Sequence, residues 1–215
     1  MATHLIFDLD NTLYPPACGV VARVDVRING FMRERLGIDP VAVDELRERY
    51  RRAYGTTLHG LMRHHAVEPD DYLEAVHAIA LDDVLAPDRD LAAMLAALPH
   101  RKTVFTNGSG SHAERVLARL GVRLHFGDVF GLERVAYVPK PQAAGFRTVL
   151  DALAAPAGDC VFIDDDLRNL ATARRLGMST VLVRAPAPDD AAPAVDAVVP
   201  TVLQLAGALA VLGRT

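Results

Sequence analysis

Short apolar runs alternate along most of the chain with longer stretches of helical periodicity. Each run ends in polar residues: LIF leads into DLD, TVF into TNGS, CVFI into DDD and TVLV into RAP. Continuous apolar runs of this length are typical of strands that are buried on both faces of a parallel sheet. We therefore expect four such strands, each opening at its carboxyl end into a polar loop, and a further strand in AVDAVV near the C-terminus.

Two of the intervening stretches carry start and stop signals of helices. SHAERVLARLG offers a serine N-cap, apolar residues at Val116, Leu117 and Leu120, and Gly121 at the position of a C-terminal cap. DLRNLATARRLG repeats this design and ends on Gly177. The alternation predicts an α/β protein with a Rossmann-like, doubly wound parallel sheet, whose ligands bind at the carboxyl ends of the strands.

One interval interrupts the alternation. Three segments in it, VARVDVRINGFMRERLG, PVAVDELRERYRRAYG and PDDYLEAVHAIAL, carry helical periodicity with Gly or Pro at their edges. We interpret residues 16–87 as an all-helical domain inserted after the first strand, and residues 1–15 and 88–215 as the α/β core. The Pro/Ala-rich APAPDDAAPA predicts a surface loop, and a final helix is expected from about Thr201.

Composition and charge narrow the class of protein. The chain has 215 residues, of which 51% are hydrophobic, so it can bury a sizeable core. The formal net charge of -4 comes from scattered acids and bases, which form neither a basic stripe for nucleic acid nor a polybasic patch for a membrane. No apolar run reaches membrane-spanning length. We expect a cytoplasmic protein that acts on a small molecule, and the sequence leaves its oligomeric state open.

Two acidic clusters follow predicted strands. Asp8 and Asp10 lie two positions apart, so in an extended chain both carboxylates face one side. Asp164, Asp165 and Asp166 follow the CVFI run. If the two strands are neighbours, at least three carboxylates converge, and like charges repel unless a cation or a proton intervenes. The pattern favours a Mg²⁺ site, although a single DxD could be a solvated turn.

Two further segments match the needs of a phosphate group. TNGS precedes a helix, which places the Thr106 hydroxyl and the backbone N–H groups of Asn107 and Gly108 at the positive helix end. The same residues could serve only as a helix cap. Lys140 precedes Pro141, which we expect in the first turn of a helix. Pro141 would then hold the lysine at the N-terminus of that helix. A pocket with several carboxylates and a phosphate needs such a fixed positive charge.

These motifs, in this order, resemble the four motifs of the haloacid dehalogenase superfamily. The residues that carry the resemblance are Asp8-x-Asp10-x-Thr12, Thr106, Lys140 and Asp164-Asp165. The resemblance implies a Rossmann-like core and a covalent mechanism. Asp8 would attack phosphorus to form an aspartyl phosphate, and Asp10 would protonate the leaving alkoxide and later deprotonate the hydrolytic water. Thr106 and Lys140 would hold the phosphoryl oxygens.

The resemblance also implies the metal ligands. Mg²⁺ would be bound by the carboxylates of Asp8 and Asp165 and by the backbone carbonyl of Asp10. Counting back from the helix-ending glycine favours Asp165, which leaves Asp164 as a second ligand or as a residue that supports the first. Asp166 is expected to cap the following helix.

The segment YGTTLHGLMRHHAVEPDDYLEAVH lies where this superfamily places its helical caps. Together with DLDNTLYPP and FIDDDLRN, it resembles the pyrimidine 5'-nucleotidase branch. The resemblance implies hydrolysis of pyrimidine nucleoside 5'-monophosphates, with substrate contacts expected from Tyr54, Thr56, Thr57 and His59, and from Tyr14 at the entrance. The same segment could be an ordinary helix pair that packs its own core. We would then expect a phosphatase for another small monoester, such as a sugar phosphate or phosphoglycolate.

Three rival functions differ in what they require. A dehalogenase releases a halide, which needs neither a proton nor Mg²⁺, so Asp10 and IDDD argue against it. A phosphoacceptor signalling domain usually places its acid pair before the phosphorylated Asp and its lysine last, whereas Lys140 precedes IDDD here. A non-catalytic phosphate-binding protein would not need complete motifs. The sequence therefore predicts a Mg²⁺-dependent phosphomonoesterase.

Overall fold

Within the described residues the sheet has six strands, and every pairing in it is parallel. The computed structural model describes residues 4–186 and 194–214. The strands are β1 (His4–Phe7), β2 (Arg101–Phe105), β3 (Asp128–Phe130), β4 (Cys160–Asp164), β5 (Ser179–Val183) and β6 (Ala197–Val199). Their order is β3-β2-β1-β4-β5-β6, which reverses direction beside β1. The prediction of an α/β fold with a doubly wound parallel sheet is confirmed.

Strand β3 is the strand that the sequence pattern did not predict. It is three residues long and begins at Asp128, so it lacks the apolar run that marks the other strands. Its pairing with β2 at the sheet edge buries Val129 and Phe130. The strand is thus defined by tertiary packing rather than by local pattern.

The helices lie between and beside the strands. They are α1 (Val20–Glu34), α2 (Val43–Tyr54), α3 (Thr57–His65), α4 (Pro69–His77), α5 (Arg89–Ala97), α6 (Gly110–Leu120), α7 (Ala143–Leu153), α8 (Leu167–Arg175) and α9 (Leu205–Val211). No helix in the described parts of the chain is both long and apolar enough to cross a membrane.

The interval between the first two strands is helical throughout its regular structure. The three predicted segments correspond to α1, α2 and α4, and α3 adds a fourth helix in the stretch after Gly55. Helix α1 packs on α4, and α2 packs on α3. The division of the chain at residues 16–87 stays a prediction, because the apolar core of these helices continues into one face of the sheet.

Both faces of the sheet are buried, as continuous apolar strands require. In β1, Leu5 and Phe7 join the core on one face, which also contains helix α6. Ile6 points to the other face, where it shares a core with Phe105 and Phe162 and with the side chains of α1 to α4. Helices α1 to α4 therefore share a core with α7 and α8 on this face of the sheet, whereas α5 packs on the other face.

The sequence predicted the N-terminal cap of α8 correctly and that of α6 incorrectly. Asp166 caps α8 by accepting a hydrogen bond from the backbone N–H of Arg168, as expected. Helix α6 is capped by Ser109, not by the serine of SHAERVLARLG, because the helix begins at Gly110, one residue before that serine. The predicted loop APAPDDAAPA falls mainly on residues 187–193, outside the described residues.

Candidate active site

Three polar loops meet at the carboxyl ends of the central strands. Strand β1 lies between β2 and β4, so the loops after all three strands emerge side by side. The backbone N–H of Asp8 donates to the carbonyl of Ile163 at 2.8 Å, which fixes the DLD loop against the IDDD strand. The parallel topology thus brings together the acidic clusters that are separated by more than 150 residues in the sequence.

The carboxylates of Asp8, Asp164 and Asp165 form one acidic cluster. Each offers an oxygen, and these oxygens lie within 4.8 Å of one another. Among the described residues this is the one group of three or more acidic, His or Cys side chains with such spacing. The donors are all oxygens, which suits a hard cation such as Mg²⁺. The side chain of Asp10 is not part of this cluster; its predicted contribution is a backbone carbonyl.

Lys140 is buried beside this cluster. Its Nζ donates to Asp8 Oδ1 at 2.6 Å and to Asp164 Oδ2 at 2.9 Å. Burial by itself would lower the pKa of Lys140, but the two carboxylates outweigh burial and raise the pKa above its ordinary value. The lysine is therefore a permanent cation between two acids. The predicted position of Pro141 is wrong: α7 begins at Ala143 with Gln142 as its N-cap, so Pro141 precedes the helix.

Asp164 is saturated by hydrogen bonds inside the protein. Besides Lys140, it accepts from the backbone N–H of Asp166 at 2.8 Å and from Asn169 Nδ2 at 3.0 and 3.2 Å. Its side chain is fully buried. This arrangement favours Asp164 as a residue that fixes Lys140 rather than as a ligand with free oxygens.

Asp165 has a different environment. It is half-buried and lines the cavity, and no other side chain in the described parts of the chain hydrogen-bonds to its carboxylate. Burial and the nearby Asp164 raise the pKa of Asp165 to about 6. Of the three clustered acids, Asp165 is thus the one whose charge is least compensated by the protein. Asp166, by contrast, pairs with Arg168 at 2.6 Å.

Residues of the TNGS loop line the same cavity as Asp165 and Lys140. Thr106 is buried at the end of β2, and its Oγ1 accepts from the backbone N–H of Gly108 at 3.0 Å. The side chain of Asn107 forms two bonds with the backbone of Lys140, accepting at 2.8 Å and donating at 3.0 Å. Asn107 thereby positions the lysine, and its own backbone N–H remains available at the cavity wall. The side-chain amide of Asn107 thus links the TNGS loop to the loop that carries Lys140.

Asp10 lines the same cavity as Asp8. The Tyr14 hydroxyl donates to Asp10 Oδ1, and His112 Nε2 lies 3.6 Å from the same oxygen. Burial by itself would raise the pKa of Asp10, but the nearby ring of His112 and the hydrogen bond from Tyr14 outweigh burial, so the pKa lies below its ordinary value. Tyr14 therefore contacts Asp10, and it does not line the cavity entrance as the sequence analysis expected.

A cavity of about 390 Å³ lies between these loops and helices α1 to α4. Thr56 and Thr57 line it, as predicted. Tyr54 and His59 do not: the Tyr54 hydroxyl is bonded to His64 Nε2 at 2.8 Å, and the His59 ring lies against the ring of Tyr54. These two side chains are occupied in packing α3 against the end of α2.

Sequence reasoning missed several residues of the cavity wall. The buried Arg47 forms an ion pair there with the half-exposed Asp25, and His77 at the end of α4 also lines the cavity. His112 carried a signal, because it lies four residues before Val116 on the apolar side of α6. A histidine on a buried helix face indicates a polar partner in the core.

Comparisons with known proteins agree with this geometry. The sequence matches the family of haloacid dehalogenase-like hydrolases over residues 2–177. Phosphate metabolism protein 8 of Saccharomyces cerevisiae is 28% identical over 193 residues, covering 82% of this chain and 60% of that protein. The chain thus spans less than two thirds of the length of this curated relative.

Two solved structures share the fold at low sequence identity. The putative HAD-hydrolase YfnB from Bacillus subtilis, bound to magnesium, is 16% identical, with a TM-score of 0.65 over 97% of this chain and 99% of that one. L-2-haloacid dehalogenase from Xanthobacter autotrophicus, with chloropropionic acid covalently bound, is 17% identical, with a TM-score of 0.61 over 100% of both chains. On the match over residues 2–177, this chain belongs to the haloacid dehalogenase-like hydrolases.

Proposed function

We propose that the protein is a Mg²⁺-dependent phosphomonoesterase that acts through an aspartyl phosphate on Asp8. The observation that carries the proposal is the convergence of Asp8, Lys140 and Asp165 beneath one cavity. Phosphoryl transfer needs these three groups: a carboxylate nucleophile (Asp8), a fixed cation (Lys140) and a carboxylate whose charge the protein does not compensate (Asp165). Mg²⁺, when bound, would be held by the carboxylates of Asp8 and Asp165 and by the backbone carbonyl of Asp10, and it would neutralise negative charge on the phosphoryl group.

The residues of the chain divide the first half-reaction between them. Asp8 Oδ2 accepts from the Thr12 hydroxyl at 3.2 Å and Oδ1 accepts from Lys140, so the nucleophile is oriented before substrate arrives. A carboxylate oxygen of Asp8 forms a bond to phosphorus as the bond from phosphorus to the leaving oxygen breaks. Asp10 donates its proton to that leaving oxygen. Asp10 must hold a proton at this step, and the negative charge of a bound phosphate dianion would favour that protonated form.

The second half-reaction uses the same residues in reverse. A water molecule attacks phosphorus, Asp10 takes its proton, and the bond between phosphorus and Asp8 breaks to release phosphate and the free carboxylate. Thr106 and the backbone N–H of Asn107 are the neutral donors for the phosphoryl oxygens, and Lys140 is the charged one. A dehalogenase would share Asp8 but would need neither the proton of Asp10 nor the open carboxylate of Asp165.

We further propose that the leaving group is a pyrimidine nucleoside. The cavity volume of about 390 Å³ lies at the small end of the range for ligand sites. Its walls combine the hydroxyls of Thr56 and Thr57 with the apolar side chains of Ile28 and Leu73. A flat base with polar edges and a ribose suits such a mixture, whereas a sugar phosphate or phosphoglycolate would leave the apolar walls uncovered.

The experiment is a panel of phosphate esters with Mg²⁺ and with chelator, and 2-chloropropionate is included for the rival dehalogenase. We expect turnover of phosphate esters only with Mg²⁺, and none by the Asp8→Asn variant, since an amide is a poor nucleophile. Residual activity of this variant within about tenfold of wild type, a change of only about 1.4 kcal/mol in the barrier, would exclude covalent catalysis by Asp8. Halide release from 2-chloropropionate would favour the rival function.

Substrate preference is measured as kcat/KM for UMP, CMP, AMP, GMP and small sugar phosphates. We expect UMP and CMP to be preferred, and a preference below about tenfold over purine nucleotides would overturn the nucleotidase assignment but not the phosphatase. Thr57→Val, which removes a cavity hydroxyl at constant shape, should raise KM for UMP. Thr148→Val on the exposed side of α7 is the matched control and should leave KM unchanged.

A further inference from the structure

We infer that His112 is a positioning residue for Asp10, and that it acts together with the Tyr14 hydroxyl. The two groups hold one carboxylate oxygen of Asp10, so that the other oxygen is directed at the leaving group. This inference rests on the proposed phosphatase function, because it concerns the residue that exchanges the proton.

His112 occupies a position that is otherwise apolar. It lies in the first turn of α6, whose other buried residues belong to the hydrophobic core, and its side chain is fully buried. Neither ring nitrogen has a hydrogen-bond partner among the described residues within the usual distance. The carboxylate of Asp10 lies 3.6 Å from its Nε2. A buried imidazole without a partner is costly, so this approach accounts for its presence.

Both donors converge on the same atom of Asp10. The Tyr14 hydroxyl bonds to Oδ1, and His112 Nε2 approaches Oδ1 as well. No described residue donates to Oδ2, although Asp10 lines the cavity. An ionised carboxylate can only accept, so His112 must carry its hydrogen on Nε2 to face it. The distance of 3.6 Å is one that can shorten when substrate binds, as contacts of catalytic groups commonly do.

The ring of His77 covers His112 and fixes its plane. The two ring centroids are 4.4 Å apart with an angle of 17° between the planes. His77 Nδ1 is 3.0 Å from Ser109 Oγ, and its carbonyl accepts from Arg115 at 2.9 Å. His77 is the last residue of α4, so the helical segment after β1 holds the imidazole that faces Asp10. The carboxylate is thus oriented from both the sheet side and the helical side.

The test compares two amide variants, His112→Gln and His112→Asn. The Gln amide nitrogen can reach the position of Nε2, whereas the Asn amide is one methylene too short, so the pair differs in reach and not in chemistry. Each variant is assayed with p-nitrophenyl phosphate, whose leaving group needs little protonation, and with the best alkyl phosphate monoester of the panel. Tyr14→Phe is assayed in the same way, and thermal unfolding of each variant reports its folding.

We expect His112→Asn to lose kcat at least tenfold more with the alkyl monoester than with p-nitrophenyl phosphate, and His112→Gln to recover most of that loss. In the Asp10→Asn background, His112→Asn should cause no further loss, because it acts through Asp10. Equal losses on both substrates, or additive losses in the double variant, would overturn the positioning role while the phosphatase stands. If His112→Asn does not fold, the same two criteria applied to Tyr14→Phe decide. A wild-type protein inactive on every phosphate ester would overturn the proposed function and this inference with it.

Discussion

At the scale of single residues, the site separates acids by how the protein compensates their charge. Asp164 is held by Lys140, by Asn169 and by a backbone N–H, whereas Asp165 receives no such bonds from other side chains of the described residues. A cation is attracted most strongly to the carboxylate that the protein leaves uncompensated. Position in the sequence alone does not make this distinction, because the acids are adjacent in IDDD.

The metal requirement tests this distinction. We expect Asp165→Ala to raise the Mg²⁺ concentration for half-maximal activity at least tenfold, because it removes an open oxygen ligand. Asp166→Ala is the matched control, since Asp166 caps α8 and pairs with Arg168 outside the acidic cluster. It should change the Mg²⁺ requirement little. A Mg²⁺ titration in which Asp166→Ala has the larger effect would move the ligand by one residue.

Residues at strand ends could be predicted from the sequence, and their partners could not. Asp8, Thr106 and Asp164 follow or end apolar strands, so a parallel sheet places them together without further information. The contact between Asp10 and His112 depends on how α6 docks beneath the DLD loop, which no local pattern encodes. The same holds for the bonds between Asn107 and Lys140, which join two loops that follow different elements.

At the scale of elements, the packing of α2 against α3 depends on one glycine. A Cβ added at Gly60 would lie 2.1 Å from Cγ of Tyr50, so the two helices approach too closely for any side chain there. Tyr50 is buried, and its hydroxyl is 3.0 Å from His65 Nε2, which limits its freedom to move away. These helices and the turn between them carry Arg51, Thr56 and other residues of the cavity wall.

Gly60→Ala is therefore expected to destabilise the protein by about 1–3 kcal/mol, the usual cost of an overpacked core. Gly207→Ala is the matched control: Gly207 is exposed in α9 with no atom within 4 Å of an added Cβ. It should stabilise the protein by about 0.5–1 kcal/mol, because alanine favours a helix over glycine. Urea unfolding measures both. A Gly60→Ala variant as stable as wild type would show that Tyr50 can move aside.

The apolar pattern predicted the buried strands, but it did not predict a short edge strand or the start of one helix. The short continuous apolar runs predict β1, β2, β4 and β5, because strands buried on both faces need apolar residues at every position. Strand β3 escaped prediction because three residues at a sheet edge need little apolar sequence. The segment SHAERVLARLG predicts a serine cap two residues after Ser109, which is the residue that caps α6 in the structure.

At the scale of the whole molecule, the helical segment and the α/β core meet at His77. This residue ends α4, packs on His112 and accepts from Arg115 of α6 through its carbonyl. Burial is the largest cause that lowers the pKa of His77 to about 4, with smaller contributions from His112 and Arg115 in the same direction and an opposing one from Asp10. The junction is therefore built around a neutral imidazole.

The stability of this junction should depend on pH. An unfolded histidine titrates near 6.5, so between about pH 6.5 and 4 the unfolded state binds a proton at His77 that the folded state does not. The contribution of the neutral His77 to the free energy of unfolding is therefore fully present above about pH 6.5, and it is lost as the pH falls toward 4. A shift from 6.5 to about 4 corresponds to a few kcal/mol at most.

His77→Gln removes the titration, and we expect its free energy of unfolding to change less than that of wild type between these pH values. His125→Gln, in the half-exposed turn after α6, is the control and should follow the wild-type slope. Parallel curves for wild type and His77→Gln in urea unfolding would show that His77 titrates alike in both states, and that the junction does not require a neutral ring.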